Sequence, residues 1–416
     1  MDIATLPSSP TPALKSAPLL VQPHDPEQVV LPCLFMRGGS SKGGFFLESE
    51  LPGDPTERDA LLLAAYGSPD MRQIDGIGGA DPLTSKAAIV ARSARPDADL
   101  EYTFCQVDLS RAKVSTGGNC GNMLAAVAPF AVWRGLIDTQ EGENRVRIYT
   151  TNTKQVVEVS FTVKGGVPTV EGPTLVPGVP GSGATVAIDF GDCAGSVSGK
   201  LLPTGNAADV ITIDSREVHV SLVDAATPFV YVVADDIKGD AGASPDAIQA
   251  DLALMERLEQ VRGWAAMVLG MVDDPAKAKE VTPNVPRVIM VSDPRDYLAG
   301  ETAIRADEVN LCVRQLAMQK PHKALAVTGA VCTSIACRIP GTVVAAQLRG
   351  STEQDIRLGH PSGVLSVDSE VETTPEGLKI RKAAVNRTAR LIMAGQLFVP
   401  RHKIRALMDP MNAPSL

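Results

Sequence analysis

Metal-binding and disulfide patterns are missing from this chain of 416 residues. Its five histidines show no HExxH spacing and its seven cysteines form no CxxC pair, so a zinc site or metal dependence is not indicated. Those cysteines (Cys33, Cys105, Cys120, Cys193, Cys312, Cys332 and Cys337) are odd in number and dispersed, which argues against a disulfide framework. Aromatic residues make up only 4% of the chain, too few for a platform that stacks bases. Positive charge is in deficit, with 39 Lys and Arg against 48 Asp and Glu and a net charge of −9. A polyanion surface needs a basic stripe, so no nucleic-acid partner is expected, although a few local cations would still suffice for a small anion. No run of about 18 apolar residues occurs, so no membrane span or membrane partner is expected. The first 28 residues are rich in Pro, Ser and Ala, with one Lys and no Arg. They lack both the apolar core of a signal peptide and the Arg-rich pattern of a transit peptide, and read as a disordered leader on a cytoplasmic protein.

What remains is an ordinary globular composition, 44% hydrophobic and 21% charged, long enough for two or three domains with full cores. Strands are expected at residues 29–37, 86–94, 101–109, 144–152, 154–163, 217–225, 229–235, 286–293 and 323–329. They recur at short spacing with turn residues between them, as in antiparallel sheets. Helices are expected at 56–67, 121–135 (with a kink at Pro129), 244–270 (capped by Ser244 or Asp246) and 306–318. Residues 164–186 read as loop or irregular hairpins, and residues 379–400 as two strands joined by a short turn. The class is α+β. The chain divides into a leader (1–28), a first domain (29–205), a second domain (206–400) and a C-terminal tail (401–416).

Two small-residue loops stand out, GGADPLTSK ending at Lys86 and STGGNCGNM centred on Cys120. Each sets one acid/base group among residues whose small side chains leave backbone N–H groups bare, a pattern suited to proton chemistry on an anion. An internal echo supports two related halves. Thr116-Gly117 is followed by two residues and then Cys120, and Thr328-Gly329 by two residues and then Cys332, each ahead of an apolar helix pattern and after a strand.

Together with MRGGSSKGGFF (36–46), RQIDGIGGADPLTSKAAIV (72–90) and GHPSG (359–363), these loops closely resemble the PrpF family over about Val30 to Pro400. That family contains isomerases of 2-methylaconitate, aconitate and methylitaconate and tautomerases of 4-oxalomesaconate. The resemblance implies a diaminopimelate-epimerase-like fold: two similar domains, each a curved sheet around a central helix, with the active site in the cleft between them. It implies that Lys86 and Cys120 are the catalytic pair, and that no cofactor is used. Anion binding is then expected from Gly39, Ser40 and Ser41, with Arg37 and Lys42 adjacent, and from the amide donors Asn119, Gly121 and Asn122. Lys323, Thr328, His360 and Ser362 are the candidates from the second half.

The chemistry such a family performs is removal of a proton allylic to a C=C, stabilisation of the resulting dienolate-like charge, and return of the proton two carbons away. One base on one face reaches both positions. Lys86 suits that role if burial or neighbouring cations lower its pKa, while a bound polyanion would raise it again. Cys120, at the start of a helix, is either a second acid/base or a wall of the pocket. The leading expectation is a cofactor-independent isomerase of aconitate or 2-methylaconitate. The alternatives are a 4-oxalomesaconate tautomerase, an accessory protein to an aconitase-type dehydratase, and an amino-acid epimerase using Cys120 and Cys332. The partner is a small carboxylate, and homo-oligomerisation stays open.

Overall fold

Residues 121–133 carry no charged side chain and one polar one, Asn122, so as a helix they can only be buried on every side. That is their place in the computed structural model, which describes residues 26–191, 193–352, 355–375 and 377–409. Residues 1–25 of the expected leader and 410–416 of the expected tail lie outside the described residues.

The first half runs β1 (Gln28–Gly38), β2 (Ser41–Leu47), α1 (Pro55–Tyr66), β3 (Lys86–Arg92) and β4 (Leu100–Val107). It continues through α2 (Gly121–Leu124), α3 (Val127–Trp133), β5 (Gly142–Thr150), β6 (Gln155–Lys164) and β7 (Val186–Asp189). Two neighbouring pairs are parallel, β2 with β3 and β4 with β5, and each needs a crossover. The first crossover is α1, begun by Asp54 accepting from Thr56 and Glu57 N–H and ended by Gly67 at φ 72. It covers the outer face, where Leu62 and Tyr66 meet Leu31, Phe46, Ala87 and Cys105. The second is α2–α3 on the inner face, where Met123, Val127 and Phe130 meet Met36, Phe45, Ala88 and Tyr102.

The second half repeats this plan with β8 (Asp209–Ile213), β9 (Arg216–Ala225), β10 (Thr227–Val233), α4 (Pro245–Ala250), α5 (Leu252–Val268) and β11 (Arg287–Ser292). Then come β12 (Leu311–Ala317), α6 (Val327–Cys337), α7 (Val343–Gln347), β13 (Ile356–His360) and β14 (Gly363–Thr374). The parallel pairs are now β10 with β11, crossed by α4–α5, and β12 with β13, crossed by the wholly buried α6. In strand order β3 therefore corresponds to β11, and α2 to the start of α6.

The last strands return to the first half. Val367 and the residues before it in β14 pair with β13, while Asp368 onward pairs with β15 (Gly377–Arg387). β15 pairs with β7, and β16 (Ala389–Pro400) pairs with β1. Residues 377–400, which the sequence groups with the second half, thus close the first-half sheet around α2–α3. The tail expected from residue 401 opens with a helix, α8 (Arg401–Met408), packed on α1.

Four local expectations need correction. Residues 311–317 form strand β12, not a helix. The strand lies between β11 and β13, buried on both faces, so its pattern loses the alternation that marks a strand. Residues 323–326 form no strand but lead into α6, where Ala326 N–H donates to Gln315 Oε1 at 3.1 Å. The helix over 244–270 is broken at Asp251; Ser244 caps α4, Asp251 rather than Asp246 caps α5, and α5 ends at Val268. The interruption of the 121–135 helix falls at Ala125–Ala126, because Pro129 has no N–H for the Ala125 carbonyl.

Tyr66 links the layers: its buried hydroxyl donates to the Lys86 carbonyl and accepts from Gly44 N–H at 2.8 Å. Tyr66→Phe leaves that N–H and carbonyl unpaired, and a loss of about 1–3 kcal/mol is expected from urea denaturation.

Candidate active site

Lys86 opens β3 on the inner face, opposite Gln106 of β4. The loop before it is organised by Gln73, whose amide donates to Ser85 Oγ at 2.7 Å and accepts from Ala80 N–H at 3.0 Å. A Cβ at Gly78 would lie 2.2 Å from the Gln73 side chain, so the motif needs glycine there. The Lys86 side chain is buried, with Nζ donating to Gln106 Oε1 at 2.8 Å and lying 4.9 Å from the Phe104 ring centroid. Burial pulls its pKa below the ordinary lysine value. Arg287 acts in the same direction, while Cys120 and Asp81 oppose it. Burial prevails because an ammonium loses several kcal/mol of hydration there, and neighbouring carboxylate or thiolate charge does not restore it.

Cys120 is the N-cap residue of α2, with its N–H held by Asn119 Oδ1 at 2.7 Å. The glycines of MRGGSSK let α2 approach the β1–β2 turn. A Cβ at Gly38 would stand 2.2 Å from the Asn122 carbonyl, and Gly39 takes φ 50. Asn122 then bonds on two sides, donating to Ser40 Oγ at 3.1 Å and accepting from Arg387 Nε at 3.1 Å. Gly121 serves the same end across the cleft, since a Cβ there would stand 2.6 Å from the Val327 side chain at the first turn of α6.

The second half contributes Arg287, which opens β11 as Lys86 opens β3. Asn284 holds its guanidinium through Oδ1 at 3.0 Å and its carbonyl at 3.2 Å, and both residues face Gly118 of the cysteine loop. Burial lowers the Arg287 pKa to about 10, against the pull of Cys120, and Arg387 is shifted alike, to about 10. Both remain cations at neutral pH. His322 is pushed down to about 4 by burial and then by Arg287 and Lys86, and His360 to about 3 by burial and then by Arg387. Each is therefore neutral. His322 Nδ1 accepts from Ala324 N–H at 3.0 Å and His360 Nδ1 from Ser362 N–H at 3.2 Å, which leaves the proton of each on Nε2. Ser40, Asn122, Ala324, Leu325, His360 and Arg387 line a small cavity of about 10 Å³, room for little more than a water. Among the described residues no group of His, Cys, Asp and Glu is arranged to hold a metal ion.

The structure brings together Lys86, Cys120, Asn119, Gly121 and Asn122, and from their flanks Gly39, Ser40 and His360. Ser41 is buried with no partner for its hydroxyl among the described residues, and Thr328 lies in the first turn of α6. Arg37 and Lys42 are not part of the group: strand alternation turns both to the face opposite Lys86. Arg37 there donates to the carbonyls of Gly39 and Thr388 at 2.8 and 3.1 Å, and Lys42 is exposed. Lys323 is exposed too, its amine paired with Asp81 at 3.0 Å as a tie between the two halves. The Ser362 hydroxyl donates to the Lys323 carbonyl. Cys332 is not the counterpart of Cys120. Ala326 holds the N-cap position of α6, whereas Cys332 is buried inside that helix, donates to Val223 O at 3.4 Å and has its thiol pushed up to about 12 by burial.

Arg287, Arg387, His322 and Gln106 were not legible as site residues. Lone residues in strands and turns carry no spacing signal; aligning the two halves on SKAAIV and PRVIMV, instead of on the TG pairs, would have matched Arg287 to Lys86. The two neutral histidines tie stability to pH. Their folded pKa values lie below the unfolded one, so their contribution is present above about 6.5 and is lost as pH falls toward 4 and 3. In urea titrations across that window, His360→Gln is expected to reduce the slope of stability against pH by up to about one proton.

Comparison with known proteins identifies the family and the fold. A family profile described as "PrpF protein" matches residues 28–400. The chain is 42% identical to the 3-methylitaconate isomerase of Eubacterium barkeri, over 91% of this chain and 99% of that one. It is 40% identical to the (4E)-oxalomesaconate Delta-isomerase of Novosphingobium sp. (strain KA1), over 88% and 97%. Among solved structures, a methylitaconate-delta-isomerase superimposes with a TM-score of 0.79 at 41% identity, covering 91% of this chain and 97% of that one. A hydroxyproline epimerase from Agrobacterium vitis follows at 0.53 and 11%, covering 89% and 93%, which speaks to the fold alone. The chain belongs to the PrpF family of isomerases and has the diaminopimelate-epimerase-like fold.

Proposed function

We propose that the protein isomerises a small unsaturated tricarboxylate of the aconitate or 2-methylaconitate type by allylic proton abstraction and return, with Lys86 as the base. The observation that carries this reading is the placing of Lys86 and Arg287 at equivalent strand starts of the two halves, near enough for Arg287 to act on the lysine amine, where the first turns of α2 and α6 abut. One half thus supplies a base that burial inclines toward the neutral amine, and the other supplies a fixed cation.

In the proposed cycle Arg287 and Arg387 take substrate carboxylates, each as a planar donor suited to two oxygens. Neutral Lys86 removes the allylic proton, the negative charge spreads onto a carboxylate held by these donors, and the resulting ammonium returns the proton at the far carbon. His360, neutral with its proton on Nε2, adds a donor that does not raise the net charge. Cys120 stands close enough to act on Lys86 and both arginines electrostatically, as a second proton carrier or as the pocket wall. 3-Methylitaconate and (4E)-oxalomesaconate, the compounds in the names of the two relatives, are the competing choices. A two-cysteine epimerase is disfavoured by Ala326 at the N-cap of α6 and by the burial of Cys332. A non-catalytic accessory role has nothing to account for a base placed this way.

Incubation with cis-aconitate, 2-methylaconitate, methylitaconate and 4-oxalomesaconate in D₂O, followed by NMR of the vinyl and methylene protons, identifies the substrate. Absence of exchange or isomerisation with all of them would overturn the reading in favour of the accessory role. Lys86→Ala is expected to lower kcat by about 10²–10⁴-fold; full turnover in that variant would remove Lys86 as the base. Arg387→Ala is expected to raise KM by about 10–100-fold, the equivalent of one charge-assisted hydrogen bond. The active form is the neutral amine and a bound polyanion favours the ammonium. The rising limb of kcat against pH should therefore lie at higher pH than that of kcat/KM.

A further inference from the structure

Lys86 is fixed twice. Its carbonyl is held from the outer face by the Tyr66 hydroxyl, and its amine donates to Gln106 Oε1 at 2.8 Å. The Gln106 amide has one possible orientation, because Nε2 donates to the carbonyls of Ser85 at 2.8 Å and Pro82 at 3.1 Å. Two carbonyls cannot face an amide oxygen, so Oε1 must point at Lys86. Both carbonyls belong to the loop that ends at Lys86, and one side chain therefore joins loop, strand and amine. The charged and titratable groups around that amine are Cys120, Asp81, Arg287 and His322. Gln106 adds an acceptor to this set without adding a charge. A carboxylate in its place would hold the amine equally well, but would favour the ammonium and suppress the base.

We propose that Gln106 is a positioning residue for the base: it aims the Lys86 amine into the cleft through a hydrogen bond that amine and ammonium can both donate, and its neutrality leaves the amine able to shed its proton. This deepens the isomerase reading and rests on Lys86 as its base. The two substitutions Gln106→Leu and Gln106→Glu pull the Lys86 proton in opposite directions. Without an acceptor the ammonium loses a partner and its titration moves to lower pH; with a carboxylate it moves to higher pH.

The test follows the Lys86 signal by NMR of the intact, substrate-free chain labelled with [ε-¹³C]lysine, assigned by its loss in Lys86→Arg, beside kcat and KM across pH. Gln106→Leu is expected to titrate at lower pH than the parent, with kcat down by about tenfold or more and KM within about twofold. Gln106→Glu is expected to titrate about one pH unit or more higher, with the rising limb of kcat/KM displaced alike and activity recovered at alkaline pH. Shifts in the same direction in both variants, or none in either, would overturn the proposal, as would parental kcat in Gln106→Leu. Because the titration is read without turnover, it is separate from the base assignment. An active Lys86→Ala beside opposite titration shifts would remove Lys86 as base and leave Gln106 as the residue that holds it.

Discussion

The first turns of α2 and α6 meet with no side chain at Gly121 to hold them apart, and the remainder of the site is arranged around that approach. Because Val327 fills the space a Cβ would need, the cysteine loop is carried to the border of the second half, where Gly118 faces Asn284 and Arg287. The glycines at 38 and 39 act from the other side, letting the β1–β2 turn close over Asn122. Two helices too apolar to lie on a surface are thus brought nose to nose inside one continuous core, with their polar first turns directed at the same small space. Charge is brought there by strands, Arg287 by β11 and Arg387 by β15.

The electrostatics of that space are lopsided. Lys86, Arg287 and Arg387 are gathered with Asp81 as the nearby carboxylate, and Asp81 is itself engaged by Lys323. Burial and mutual repulsion incline the weakest of the three cations, the lysine, toward its neutral form, while guanidiniums with pKa values near 10 keep their charge. The same surroundings keep His322 and His360 neutral. Such surroundings favour anionic groups over further cations, and burial lowers the proton affinity of the lysine. Both features come from one cause, the removal of cations from water without matching carboxylates.

The duplication is informative because it is imperfect. Both halves cross a parallel pair over the outer face and a second pair through a buried helix. The halves differ in what they place at the matching points: lysine against arginine at the strand start, cysteine against alanine at the helix cap. Acid/base groups from both halves would suit inversion at one carbon, whereas the proposed base from one half with a fixed cation from the other would suit transfer of a proton along one face of a planar system. The end of the chain adds a further asymmetry, since β15 delivers Arg387 to the first half from the far side of the sequence.

Local patterns fixed which segments must be buried, which loops had to be bare, and where the candidate residues Lys86 and Cys120 lie in the chain. Lys86 and Cys120 were readable because they sit within glycine-rich loops whose composition is explained by close packing. Most strands were readable too, since their runs are apolar and bounded by turns. Strand β12 was not, because burial on both faces removes the alternation that separates strand from helix. Tertiary structure alone decided that Arg37 and Lys42 turn away and that Lys323 is spent on Asp81. It alone decided that Arg287, Arg387, His322 and Gln106 stand where those residues were expected. The physical reason is that a side chain's face depends on strand register and its partners on which distant segments pair, and neither quantity is written in the spacing of residues along one chain.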